Sequence, residues 1–338
     1  MILDENLTRI KCLRRCCSKQ PFLSKYKKAK PLFMRSYLFS RIYSSSPLLL
    51  ILATLGWGTN TIAGRLAVGE VSPMLLIFFR WGIVVLILLS LYWRQMTAEW
   101  RVIKPRLKWL FIMGGFGLSL FNAFFYIAAH STTAVNLGII QSTMPGMILL
   151  GSFMIFGDRI NKLQLSGLLL TLLGVVIIVT QGSIEKLMQL TFNNGDLLMI
   201  FACSFYAMYT VGLKSRPKIP GMVMLAYFSV VAFLMTIPLV IVESFVYGTV
   251  VPGAKGCAIV LYIALVPSFL SQILFMRGVD LIGPGSAGLY ANLVPIFSAI
   301  MAVLLLSETF AFFHLAAMIL VFGGIGLFEY QTRRKANV

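Results

Sequence analysis

Ten stretches of this chain are apolar over about 17–25 residues, the length that crosses a bilayer as a helix. They run over 47–67, 74–93, 109–129, 134–156 and 163–181, then 195–213, 221–242, 256–278, 285–305 and 312–330. Pro267 and Arg277 interrupt the eighth. The pattern then repeats itself. Gly138, Pro145, Asp158, Leu165 and Gly174 recur 150 positions later as Gly288, Pro295, Glu308, Leu315 and Gly324. Asn122 and Gln272, two amides inside apolar runs, share the same offset. The expected fold is an all-α membrane protein of ten transmembrane helices in two five-helix repeats. Its parts are a basic tail (1–46), a first repeat (47–182), a second repeat (195–330) and a short basic tail (331–338).

Composition and charge fix how such a chain is laid into a membrane. Apolar residues make up 59% of the chain and charged residues 12%, about half the charged share of a soluble domain. The net charge of +18 is not a nucleic-acid footprint. Eleven of the 29 basic residues precede Ser46, and most others fall in alternate loops. Arg94, Arg101, Lys104, Arg106 and Lys108 follow span two; Arg159 and Lys162 follow span four; Lys214, Arg216 and Lys218 follow span six; Arg333, Arg334 and Lys335 follow span ten. The opposite loops hold Glu70, Glu185, Lys186, Glu243 and Lys255. The positive-inside rule places both termini in the cytoplasm. With five spans per half, the second repeat enters the membrane inverted relative to the first. The stretch Arg41–Ser46 has a transit-peptide flavour, and residues 1–33 read alternatively as an extension ahead of a start at Met34.

Polar residues retained inside spans mark a cavity or a helix–helix bond. Trp57, Asn60 and Thr61 lie on one face of span one, and Tyr206, Tyr209 and Thr210 repeat them in span six. Asn122 and Tyr126 form a stripe in span three, and Gln272 answers in span eight. Gln141 and Asn136 in span four, and Tyr290 and Asn292 in span nine, complete an aromatic-amide set. Arg80 and Arg65 are candidate anchors for an anionic group, or structural arginines reaching outward. Pro145 and Pro295, each preceded by a glycine (Gly138, Gly288), suggest matched hinges. Asp158 and Glu308 are expected to cap the helices that follow them. Spans five and ten, nearly free of polar groups, are expected to face lipid.

Other chemistries find little footing. Cys12, Cys16 and Cys17 lack a second ligand pair, so no metal is expected. The pairs Gly56–Gly58 and Gly114–Gly115 lie in spans, not between a strand and a helix, so no nucleotide cofactor is expected. His130 and His314 sit near interfaces and support no catalytic arrangement, so the chain is not read as an enzyme. Gly323, Gly324 and Gly326 suit close helix approach, within the protein or in a homodimer.

Order and spacing carry a family resemblance. Trp57-Gly58-Thr59-Asn60, Phe79-Arg80-Trp81, the run from Thr133 through Pro145 to Gly157-Asp158-Arg159, and the run from Leu281 through Pro295 to Ser307-Glu308-Thr309 resemble the EamA branch of the drug/metabolite transporter superfamily. Gly195-Asp196 and Tyr206 to Thr210 fit its span six, with Tyr206 where the pattern usually shows Trp. The resemblance covers about residues 47–330. It implies a metabolite carrier in a cell membrane, a bacterial inner membrane by preference. Its partners would be a small-molecule substrate and the lipid bilayer, with amino acids or related amphipathic compounds expected as cargo. Two alternatives remain at this level. A phosphorylated-metabolite exchanger would want several cavity cations, for which only Arg65, Arg80, Lys214 and Arg277 qualify. A lipid scramblase would want a polar stripe facing lipid.

Overall fold

A computed structural model describes residues 43–306 and 309–336. The expectations about residues 1–33, Cys12, Cys16, Cys17 and Glu308 lie outside them. Among the described residues the structure is helical, with no strand. Its main helices are α1 (Ser46–Ala67), α2 (Pro73–Ile103), α3 (Leu107–Phe111), α4 (Phe121–Ser131), α5 (Ala134–Ser142), α6 (Met144–Phe156) and α7 (Lys162–Thr180) in the first half. A short α8 (Ile184–Met188) leads into α9 (Asn194–Gly212), α10 (Gly221–Val246), α11 (Ala254–Ile263), α12 (Ser271–Leu289), α13 (Leu293–Leu306) and α14 (Phe312–Ala336). Among the described residues, eight continuous helical stretches are long and apolar enough to cross a bilayer. Two of these, Pro73–Ser131 and Ala254–Leu305, run for 59 and 52 residues.

The repeat reaches into details that the apolar pattern does not show. A π-helical segment, Ile112–Leu120, joins α3 to α4, and a second, Ala264–Leu270, joins α11 to α12. They occupy matching places in the two halves. The helix breaks also match: α5 stops at Ser142 before Thr143, and α12 gives way at Leu289 to a 3₁₀ turn, Tyr290–Asn292. Pro145 and Pro295 therefore lie in the first turn of new helices, where a missing N–H costs no intrahelical bond. They do not kink continuous helices. Helix pairing across the halves is symmetric as well: α1 packs on α12 and α13, α9 packs on α4 and α6, α2 on α10, and α7 on α14.

α7 and α14 correct the expectation of two lipid-facing helices. Their outer faces expose Leu169, Leu173, Leu315, Ile319 and Phe322, but Thr171, Val175, Ile178, Ala317, Val321 and Phe328 are buried. The two backbones touch at a glycine crossing. A Cβ on Gly324 would sit 2.6 Å from the Gly167 carbonyl oxygen, and one on Gly167 would meet the Gly324 carbonyl at 2.6 Å. Without a hydrophobic drive inside lipid, such close approach is what binds helices.

The loops gather at two ends. At one, Lys214 pairs with Asp158 at 2.6 Å, Arg216 with Asp280 at 2.6 Å, and Arg106 donates to the Ser215 carbonyl at 3.0 Å. At the other, Lys255 pairs with Glu70 at 2.8 Å, and Thr132 and Asn136 donate to Asp196. There too, the buried Glu243 at the end of α10 accepts from the backbone N–H groups of Met74 and Leu75, the latter at 3.2 Å. This carboxylate caps α2 from another helix and meets the positive end of its dipole.

Asp158 departs from its expected role. The cap of α7 is Asn161, which accepts from the Gln164 N–H while the Gln164 side chain accepts from the Asn161 N–H. Asp158 instead accepts from Ser152 Oγ and Lys214 Nζ, each at 2.6 Å. Desolvation raises its carboxyl pKa, but these two hydrogen bonds outweigh that and hold it below the usual value.

The glycine crossing yields a paired prediction. Gly324→Ala forces a Cβ onto backbone, an overpacking cost of about 1–3 kcal/mol, and should lower the thermal midpoint of purified protein in detergent. Gly323→Ala, whose Cβ would meet nothing within 4 Å, should leave the midpoint unchanged. Equal midpoints for the two variants would show that the crossing is loose.

Candidate substrate cavity

Polar and aromatic side chains from both halves converge on one cavity. Its wall includes Trp57, Asn60 and Thr61 of α1, and Arg80 and Trp81 of α2. Gly117 and Leu118 of the first π segment and Phe121, Asn122, Phe125 and Tyr126 of α4 form another side. Gln141, Met144, Tyr206, Pro267, Gln272, Ala291 and Val294 complete it. The space amounts to about 830 Å³, including open solvent at the mouth. Thr61 is exposed and Asn60, Phe125 and Tyr126 are half-buried, so the cavity opens at that end. At the other end Tyr206, Tyr209, Gln272 and Phe275 are buried and close it.

Aromatic rings build the wall and floor. Trp57 lies 5.0 Å from Phe275 and 5.9 Å, edge-on, from Tyr206. Tyr206 lies 5.0 Å from Phe121 and 5.6 Å from Tyr209. Offset and edge-on contacts of this kind hold rings in fixed orientations. Trp57 Nε1 donates to the Pro267 carbonyl at 3.1 Å, which ties α1 to the second π segment. Gln272 Nε2 donates to the Tyr209 hydroxyl at 2.6 Å beneath the floor.

Arg80 stands in a polar relay between the halves. Its Nε donates to Ser268 Oγ at 2.8 Å and its Nη1 to Asn122 Oδ1 at 3.0 Å. Ser268 Oγ in turn donates to the Ile263 carbonyl at 2.6 Å. Pro267 has no N–H to offer that carbonyl, so the serine hydroxyl stands in for it. Asn122 Nδ2 donates to the Leu118 carbonyl at 2.5 Å, inside the first π segment. The first π segment supplies one backbone carbonyl to this relay, Leu118, and the residue just ahead of the second, Ile263, supplies another; π turns commonly occur at functional sites.

The sequence candidates divide into two sets. Trp57, Asn60, Arg80, Asn122, Tyr126, Gln141, Tyr206 and Gln272 line the cavity together. Tyr209 lies beneath it. Tyr290 donates its hydroxyl to Glu329, and Asn292 donates to Thr171 Oγ1 at 2.9 Å, so both bind α7 or α14 and not the cavity. Asn136 reaches Asp196 and the Thr191 carbonyl. Arg65 is exposed at the end of α1. Gly138 and Gly288 sit against Val179 and Ile148. Sequence reasoning missed Trp81, Phe121, Phe125, Met144, Ala291 and Val294. Their apolar side chains carry no signal that separates a cavity wall from a lipid-facing surface.

Two matches decide the family. The sequence pattern of the EamA-like transporter family matches residues 44–180 and matches again over 193–330. The chain belongs to the EamA-like transporter family. It is similar to the uncharacterized transporter YetK of Bacillus subtilis, with 28% identity over 79% of this chain and 82% of that one. It is also similar to an uncharacterized transporter of Archaeoglobus fulgidus, with 29% identity over 84% of this chain and 97% of that one. A solved crystal structure shares the fold with a TM-score of 0.71 and 19% identity, covering 86% of this chain and 98% of the other. This EamA-like chain is thus a multi-pass membrane protein whose polar cavity lies between its two matched halves.

Accessibility tests the closed floor. In a cysteine-free background, Thr61→Cys should react rapidly with a small thiol reagent in detergent, and Tyr209→Cys should resist it. Comparable labelling of both would mean that the floor is open.

Proposed function

We propose that this protein is a secondary carrier of small metabolites, amino acids or related amphipathic compounds, working by alternating access around the cavity. The observation that carries this reading is a central cavity walled by both halves, open at one end and sealed at the other by Tyr209, Gln272 and Phe275. Membrane carriers built from repeats bind at the interface of the halves. Aromatic faces with few convergent polar groups suit a small amphipathic ligand. Among the described residues the cavity wall carries one cation, Arg80, which disfavours a phosphorylated-metabolite exchanger. The polar groups face inward, which disfavours a scramblase.

Ten crossings follow from length and loop pairing. A straight helix of 59 residues would be about 88 Å long, against a hydrocarbon core of about 30 Å. Pro73–Ser131 therefore turns back, at Arg106, whose backbone leaves the helical region. Ala254–Leu305 turns back at Gly283, with φ 81° and ψ 163°. The basic loops around Arg106, Lys214 and Arg216 share one end of the molecule. That end is the cytoplasmic one under the positive-inside rule, so both termini are cytoplasmic, the halves are inverted, and the cavity opens outward. The matched helix breaks before Pro145 and Pro295 serve as hinges of opposite gates.

Untargeted profiling of metabolites in cells and medium, with and without overexpression, tests the carrier. A change in one or a few small amphipathic metabolites is expected, and Gln272→Ala should reduce it several-fold at normal membrane abundance. A hydrogen bond worth about 0.5–1.5 kcal/mol sets that size. Unaltered profiles would argue against transport. Labelling from outside the cell should reach Glu185→Cys and miss Thr97→Cys; the reverse would overturn the orientation.

A further inference from the structure

Arg80 is a buried cation without a counter-ion. It is 5% exposed and lies in the interior of α2. The ion pairs Lys214–Asp158, Arg216–Asp280 and Lys255–Glu70 all lie away from the cavity wall, and Arg80 takes part in none of them. Two of the five guanidinium N–H groups are taken, by Ser268 and Asn122. The rest have no protein acceptor among the described residues. Removing a charge from water without a partner costs several kcal/mol even after relaxation, so the site holds unused capacity for an anion.

A second, independent observation marks the same place. Three buried polar atoms of the cavity wall lack a hydrogen-bond partner: Trp81 Nε1, the Tyr206 hydroxyl oxygen and Asn60 Oδ1. Buried polar groups are nearly always paired, and exceptions call for a reason. Trp81 and Tyr206 are 1% and 6% exposed. An indole N–H and a phenol O–H are donors. With Arg80 they give the cavity an excess of donors, as an anionic ligand requires. Asn60 Oδ1 only accepts, and it suits an N–H or O–H on the same ligand.

We propose that Arg80 is the anchor for a carboxylate group of the transported molecule, flanked by Trp81 N–H and Tyr206 O–H. This rests on the reading of the cavity as the substrate site. Charge selects the class. One guanidinium balances one negative charge, and its planar fork matches a carboxylate. A phosphate monoester dianion would leave a net negative charge in a low-dielectric cavity whose wall holds no further cation among the described residues. The aromatic walls select an apolar body on that carboxylate.

The test uses the full-length protein purified in detergent, with 3-phenylpropionate and its neutral isostere 3-phenylpropionamide as probes and equilibrium dialysis as readout. The acid should bind about tenfold or more tightly than the amide, the size expected for a hydrogen-bonded charge. Arg80→Gln should abolish that preference, and Arg80→Lys should keep part of it. If Arg80→Gln does not fold, Arg80→Lys decides: an undiminished preference there overturns the proposal. So does equal binding of acid and amide by the unaltered protein, absence of binding by the acid, or a preference that survives Arg80→Gln. Ala291→Trp, which fills the cavity, separates the two readings. Loss of acid binding in Ala291→Trp with the preference intact in Arg80→Gln leaves the cavity standing and removes the anchor. Acid binding unaffected by Ala291→Trp but lost in Arg80→Gln keeps the anchor and places it outside the cavity.

Discussion

Hydrocarbon does not solvate polar groups, and this constraint governs where the protein keeps them. Each buried polar side chain must find a partner inside the protein; small hydroxyls such as Thr54 and Ser229 take a carbonyl of their own helix, while longer polar groups reach further. Arg80 finds Ser268, Asn136 finds Asp196, Gln272 finds Tyr209 within its own half, and Asn292 reaches back to Thr171. Glu243 closes the start of α2 from the end of α10. These bonds stitch together two halves that share little apolar contrast with their surroundings. The cavity is where the stitching is left incomplete, and Asn60, Trp81 and Tyr206 are its loose ends.

Much of this architecture was legible because the repeat is carried by residues that backbones demand. Gly174 and Gly324 share an offset, and both lie in the tight crossing of α7 and α14. The spans followed from apolar length, and eight of the thirteen aromatic, amide and arginine candidates line the cavity because polar groups in lipid have few other reasons to persist. The misses have one cause. A helix in a bilayer is apolar on its lipid face and on its protein face alike, so Phe121 and Phe125 give no sign of which way they point. That ambiguity also made α7 and α14 read as lipid-facing, although one side of each is buried.

Other misses concern partners distant in sequence. Nothing near Glu243 announces a helix start 169 positions away. Asp158 stood three residues ahead of the true cap, and only the fold brings Lys214 to it. The π segments were invisible for a different reason. An extra residue per turn leaves the apolar pattern almost unchanged, and the carbonyls of Leu118 and Ile263 matter only once Asn122 and Ser268, the partners of Arg80, are seen to meet them.

The contact between Gly167 and Gly324 has a mechanical meaning. Each backbone occupies the space that a Cβ on the other would need, and so close an approach resists sliding along either helix axis. Under the alternating-access reading, the crossing of α7 and α14 is placed to serve as a fulcrum between the two halves. Displacement grows with distance from a fulcrum, so a small tilt there becomes a large opening at the far wall.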